Sequence, residues 1–189
     1  MKLCFCDTET TGVRYKDKIW QLTSLISSGD RRDFKDIYID RSTADWEPKA
    51  KEMMLKSIEG KDISWETPYW AHHEFASYLS KHVDKFNKND KLYFIAFNSP
   101  FDDRMLREFF KENGDKFYGS FFHWPAIDVA GLAALHLREK RSSMPNFKLD
   151  TVAKIIGIEV DDSRLHDAIY DLELLEKVYN IVVPKEILK

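Results

Sequence analysis

No window of the 189-residue chain approaches the ~20 consecutive apolar residues that a bilayer-spanning helix needs. The chain also reaches Asp7 too soon to contain the apolar core of a signal peptide, so an intracellular, cytoplasmic protein is expected. Cysteine is nearly absent: Cys4 and Cys6 are the only two. Residues two apart on a strand point the same way but are poorly placed for a disulfide. A zinc site would recruit more Cys or His at ligand spacing. Buried free thiols in a reducing compartment are the expectation. Glycine and proline are sparse, at 7 and 6 residues, and the chain is 43% hydrophobic and 14% aromatic, which excludes collagen-like and disordered classes. Nor is there an excess of one charge: 29 Lys and Arg against 32 Asp and Glu give −3. Such a balance neither announces nucleic-acid binding nor excludes it, because a cluster of acids can mask basic residues elsewhere. There is no repeat, low-complexity tract or linker, so residues 1–189 are expected to form a single domain.

What is present is concentrated at the start. Leu3-Cys4-Phe5-Cys6 leads into Asp7-Thr8-Glu9-Thr10-Thr11-Gly12. Side chains alternate along an extended chain, so Asp7 and Glu9 project to the same side of a strand end. Two like charges this close repel, and one is pushed toward protonation unless a cation lies between them. Hard divalent ions such as Mg²⁺ or Mn²⁺ suit oxygen ligands. Acids are also common where a strand enters a polar loop, so the pair alone decides nothing.

Ile19–Ile26 and Phe34–Ile39 read as second and third strands, an antiparallel meander turned at Ser28-Gly29-Asp30. Pro48–Ile58 reads as a helix. From Pro68, the spacing of Phe75, Leu79, Val83 and Phe86 predicts another, amphipathic one. The run from Lys91 to Phe97 reads as a strand buried on both sides. A helix through Met105, Leu106, Phe109 and Phe110 follows, closed by Gly114. Trp124–Asp128 reads as a short strand, Val129–Leu137 as helix, and 138–148 as a basic surface loop. Leu149–Ile156 and a segment from about His166 or Ala168 to Ile181 read as the last helices. The class is α/β: a mixed central sheet, its first three strands antiparallel, flanked by helices.

Acids stand at the ends of elements in three places: Asp7 with Glu9, then Asp102, then Asp171 with His166. In open α/β sheets ligands gather at strand ends. This pattern resembles the DEDDh branch of the DnaQ-like 3′→5′ exonuclease superfamily, which has a ribonuclease-H-like fold. The family's first motif, Asp-x-Glu-Thr-Thr-Gly, is matched by Asp7 to Gly12. Its second, Asn-x-x-Phe-Asp with an aliphatic residue soon after, is matched by Asn98, Phe101, Asp102 and Leu106. Its third, His-x-Ala-x-x-Asp, is matched by His166, Ala168 and Asp171. The order and spacing span essentially the whole chain. Where many relatives have His before the second-motif Asn, this chain has Phe97, a departure that bears on substrate contacts. Asp103 competes with Asp102, and the Phe-Asp match favours Asp102.

The resemblance implies that Asp7, Glu9, Asp102 and Asp171 hold two Mg²⁺ or Mn²⁺ ions and that His166 takes a proton from the attacking water. It implies a 3′→5′ exonuclease releasing nucleoside 5′-monophosphates from the single-stranded 3′ end of a nucleic acid, DNA slightly favoured over RNA. Thr8, Thr10, Thr11, Gly12, Val13, Asn98 and Phe101 are the expected substrate contacts. Arg104, Arg107 and the loop cations Arg138, Lys140, Arg141 and Lys148 are candidates for upstream phosphates. No membrane contact is expected; a polymerase or a second copy are candidate partners. An RNA-trimming or oligoribonuclease-like enzyme and a non-catalytic nucleic-acid-binding module are the alternatives. Asp7-Thr8-Glu9-Thr10 faintly resembles the nucleophile loop of haloacid-dehalogenase-like phosphatases, a reading that leaves His166 and Asp102 without tasks. The remaining histidines, His72, His73, His82, His123 and His136, have no acid at ligand spacing in the sequence, and Asp150, Asp161, Asp162 and Asp167 are expected to cap helices or face solvent.

Overall fold

Alternation along the first strand sets the layering. In β1 (Lys2–Thr10), Cys4 and Cys6 enter a core on one face of the sheet, while Phe5 enters a second core on the other. The computed structural model describes residues 1–165 and 167–183. Within them β1 is joined by β2 (Ile19–Ser28), β3 (Arg31–Ile39), β4 (Trp65–Glu66), β5 (Tyr93–Ala96) and β6 (Ile127–Asp128). The sheet order is β4-β3-β2-β1-β5-β6. The β1–β2 and β2–β3 pairs are antiparallel; β1–β5, β5–β6 and β3–β4 are parallel. This is the expected mixed sheet with its first three strands antiparallel.

Seven α-helices complete the described residues: α1 (Pro48–Ser57), α2 (Pro68–Ser80), α3 (Ser99–Glu112), α4 (Tyr118–Phe121), α5 (Val129–His136), α6 (Leu149–Ile155) and α7 (Ala168–Val182). Phe75 and Leu79 of α2 with Leu106 and Phe110 of α3 cover Cys4, Leu22 and Phe94 on the first face. Val129 of α5, Val152 of α6 and Leu175 and Tyr179 of α7 cover Phe5, Leu25 and Ile95 on the second. Phe94 and its neighbour Ile95 enter opposite cores, as a strand buried on both sides requires. Both cysteines are buried free thiols, as expected. No helix of the described residues is long and apolar enough to cross a membrane.

The expected amphipathic face from Phe75 to Phe86 breaks after α2. Val83 is buried, but Phe86 is 84% exposed. The helix ends at Ser80, and beyond it Asp84 builds a separate turn: its carboxylate accepts the Phe86 N–H at 3.0 Å and its carbonyl accepts the Asn87 N–H at 2.9 Å. A short acidic side chain of this kind favours turns. Three further boundaries move: the third strand begins at Arg31, the sixth shrinks to two residues, and a 3₁₀ turn (Arg141–Ser143) interrupts the basic loop. β4 and α4 are too short for periodicity to reveal. Two histidines gain acids from far along the chain, His72 from Asp115 at 3.1 Å and His82 from Asp33 at 2.9 Å.

Truncating a core ring and an exposed one should separate cleanly. Phe110→Ala is expected to lower the unfolding free energy by ~3–5 kcal/mol, whereas Phe86→Ala should stay within about 0.5 kcal/mol of wild type. Denaturant midpoints of the two variants check this.

Candidate active site

Continuing the alternation of β1, Asp7 and Glu9 follow Phe5 on the side of the sheet that α7 covers, and Thr8 faces the opposite way, toward the start of α3. Both sides open into one cleft of about 340 Å³, lined by Asp7, Thr8, Glu9, Asn98, Phe101, Asp102 and Asp171 together with Phe97, Lys148, Leu149, Asp150 and Leu165. Acids from three distant segments of the chain thus meet. Asp128, at the end of β6, accepts the Ser99 N–H at 3.2 Å and the Gly131 N–H at 3.0 Å, which fixes the start of α3 beside β6. Asp167 caps α7 by accepting the Tyr170 N–H at 3.0 Å, which leaves Asp171 in the first turn. Both Asp102 and Asp171 benefit from the positive end of a helix dipole.

Thr8 holds Asp102. Its backbone N–H and its hydroxyl both donate to Asp102 Oδ1, at 3.0 and 2.7 Å. Asp102 is only 6% exposed, and burial nonetheless pushes its carboxyl up to about 7 against the lowering effect of those bonds. Asp7 is pushed well above the ordinary carboxylate range, first by burial and then by the charges of Glu9, Asp102 and Asp171. Asp103, the competitor of Asp102, is turned away. It accepts from the Tyr118 hydroxyl at 2.6 Å and from Arg107 Nε at 2.6 Å.

The remainder of the first motif builds a turn. Thr11 N–H donates to the Lys18 carbonyl at 2.8 Å, its hydroxyl accepts the Lys18 N–H at 3.1 Å, and the Thr10 hydroxyl donates to the Gly12 carbonyl at 2.7 Å. Gly12 is required by close approach: a Cβ there would lie 2.5 Å from Asp17 Oδ2 and 2.6 Å from Glu47 Cδ. Arg14 pins both acids, bonding Asp17 Oδ1 at 2.9 Å and Glu47 Oε1 at 3.1 Å. Val13 is 72% exposed. His166 lies outside the described residues.

Of the basic candidates, only Lys148 lines the cleft. Arg104 sits between the rings of Tyr15 and Phe101, Arg107 over Tyr118 and Trp124, Arg138 against Glu139, and Arg141 over Phe147. Phe97 lines the cleft where many relatives carry His, and stacks on Phe147 at 6.3 Å between centroids. Asp161 and Asp167 cap as expected. Asp150, expected to cap a helix or face solvent, stands in the first turn of α6 and lines the cleft. Its place in the first turn of a helix just ahead of the third motif was the available signal.

Among solved structures the chain is similar to the nuclease domain of 3′hExo, a DEDDh family member crystallised with rAMP. The match has a TM-score of 0.67 over 94% of this chain and 88% of that one, at 13% sequence identity. The chain has the fold of a DEDDh nuclease domain. No protein-family model matches it, and no curated protein does.

Within this DEDDh-type fold the donor set is chemically consistent with a hard divalent ion: carboxylate oxygens and neutral oxygens, no sulfur. Among the described residues no three His, Cys, Asp or Glu side chains are grouped as a metal site. The raised Asp7 and Asp102 mark where positive charge would be stabilising.

At pH values high enough to ionise the raised Asp7 carboxyl, Asp7→Asn should raise the melting temperature of the metal-free protein, since it then removes a buried charge among like charges, and it should abolish most of the shift that added Mg²⁺ or Mn²⁺ produces in wild type. Thermal melts with and without the ion measure both. Gly12→Ala is expected to cost ~1–3 kcal/mol through overpacking against Asp17 and Glu47, read from denaturant midpoints.

Proposed function

We propose that the chain is a divalent-metal-dependent 3′→5′ exonuclease acting on single-stranded nucleic-acid 3′ ends. The observation that carries this reading is the meeting of Asp7, Glu9, Asp102 and Asp171, drawn from three separate parts of the sequence, in one cleft at the end of the central strands. Two Mg²⁺ or Mn²⁺ ions held by those four carboxylates would supply Lewis-acid stabilisation of charge on the phosphodiester and lower the pKa of a coordinated water.

The chain's own residues do the rest. Thr8 keeps Asp102 aimed into the cleft through its two bonds. Phe97, Phe101 and Leu165 give the cleft apolar walls suited to the flat faces and sugar of a terminal nucleotide, and Asn98 adds a polar group beside them. Gly12 and Thr11 serve indirectly by shaping the turn that ends β1, and Thr10 adds its hydroxyl to that turn. His166 would accept the proton of the attacking water and return it to solvent.

DNA and RNA ends remain the two substrate classes of this reading. The RNA alternative draws support from the fold neighbour, which was crystallised with a ribonucleotide, rAMP. The full motif set counts against a purely non-catalytic module, because all four acids and His166 are retained in the sequence.

With 5′-labelled DNA and RNA oligonucleotides of matched sequence, a ladder shortening from the 3′ end in Mg²⁺ or Mn²⁺ is the expected product pattern. Internal cuts or an inert oligonucleotide would sink the proposal. Asp102→Ala and Asp171→Ala should lose more than ~100-fold in rate, and Thr8→Val ~10–100-fold, the range seen when an outer partner of a metal-ligating group is removed. The rise of rate with pH in wild type should flatten in His166→Ala.

A further inference from the structure

The carboxylate cleft does not end at Glu9. A second cavity of about 600 Å³ adjoins it, and Glu9, Lys148 and Leu165 line both. Its walls are α1 on one side and the segment leading into α7 on the other. Five cations face it, Lys49, Lys56, Lys61, Lys148 and Arg164, against the two carboxylates Glu9 and Asp167. The chain as a whole carries −3, so this concentration is placement, not composition. The larger cavity of about 890 Å³ behind α1 offers a contrast: it mixes Asp40 and Asp45 with Arg41 and Lys51 and shares no residue with the carboxylate cleft.

The α1 wall has a pattern of its own. Lys49, Met53 and Lys56 recur at four- and three-residue steps, a stripe of cation, apolar side chain and cation about 10 Å long on one helix face. Met53 is 40% exposed in that stripe, and the ring of Trp20 lies at the groove as well. No residue of α1 is buried. The helix is instead moored at its ends: the N–H of its cap, Glu47, donates to the Thr11 carbonyl at 2.8 Å, and beyond its C-terminus Lys61 reaches Asp167 across the groove at 3.6 Å. A helix that buries no residue of its own, tied to the first-motif turn and carrying a cationic face, is built as a wall for something else.

We propose that the groove between α1 and the segment preceding α7 holds the sugar-phosphate backbone of a single-stranded nucleic acid 5′ of the scissile bond, with Lys49, Lys56, Lys61, Lys148 and Arg164 facing its phosphates. Charge complementarity and direct continuity with the carboxylate cleft select this occupant. The inference rests on the nuclease reading and adds to it a strand path and a preference for substrates long enough to fill the groove.

The test compares wild type, Lys49→Ala/Lys56→Ala, Arg164→Ala and, as a control exposed on α7 and lining neither cavity, Lys177→Ala. Steady-state kinetics are measured on a single-stranded 12-mer and on a dinucleotide of the same chemistry across a range of salt. In the double variant and in Arg164→Ala, KM for the 12-mer should rise at least ~10-fold at little change in kcat, and the slope of log KM against log salt should shrink by about 0.7 per lost phosphate contact. KM for the dinucleotide should stay at the wild-type value, and Lys177→Ala should behave as wild type on both. Unchanged 12-mer KM and salt slope, or an equal rise for the dinucleotide, would overturn the groove while leaving the nuclease intact. If wild type cleaves neither substrate, the nuclease reading falls and fluorescence anisotropy of the labelled 12-mer decides the groove by itself. Salt-sensitive binding weakened in the double variant supports it, and binding equal to wild type overturns it.

Discussion

Two hydrogen bonds from one residue join the halves of the cleft. Thr8 gives its N–H and its hydroxyl to Asp102 Oδ1, and so ties the end of β1 to the start of α3. The aim of Asp102 into the cleft depends on that tie. Asp102 is almost fully buried, and an isolated carboxylate there would be costly without donors to satisfy it. The two bonds offset part of that cost, yet burial still holds the carboxyl near 7, and Asp7 beside it is raised by burial and by three acidic neighbours. The fold thus concentrates negative charge at one point and holds it there with packing from both cores. Strain of this electrostatic kind clusters at functional sites.

A second set of contacts fixes what lies around that point. Gly12 leaves room for Asp17 and Glu47, Arg14 bridges the two, and the Glu47 N–H reaches back to Thr11. The same turn that ends the first motif therefore also sets where α1 begins. The position of α1 is inherited from the site, since the helix contributes no buried residue of its own. This coupling explains how a loosely seated helix can still present Lys49 and Lys56 in a fixed relation to Glu9.

The architecture and the acidic site were legible in the sequence because both follow from local pattern. Apolar alternation places Cys4 and Phe5 on opposite faces, a continuous apolar run marks β5, and Asp7-x-Glu9 must share a side. Boundaries were less legible where a polar side chain builds a turn, as Asp84 does after α2. Elements of two to four residues, β4 and α4, carry no period to read. The surroundings of the basic residues are likewise not written in local pattern. Arg104 lies over the rings of Tyr15 and Phe101, and Arg107 lies over Tyr118 and bonds Asp103, contacts that bring together residues from separate elements. Asp150 looked like an ordinary first-turn acid and lines the cleft.

The sequence by itself determined the class of fold and put Asp7 and Glu9 on one side of a strand end, because strand alternation and helix starts are consequences of neighbours along the chain; Asp102 and Asp171 entered through the resemblance of the three motifs. Only the tertiary structure decided which acid of Asp102 and Asp103 faces the cleft, that His72 and His82 have carboxylate partners, and that Lys49, Lys56 and Arg164 gather beside Glu9. Those facts depend on contacts between residues dozens to more than a hundred positions apart. Long-range Coulomb and packing terms set them, and no local pattern encodes such terms.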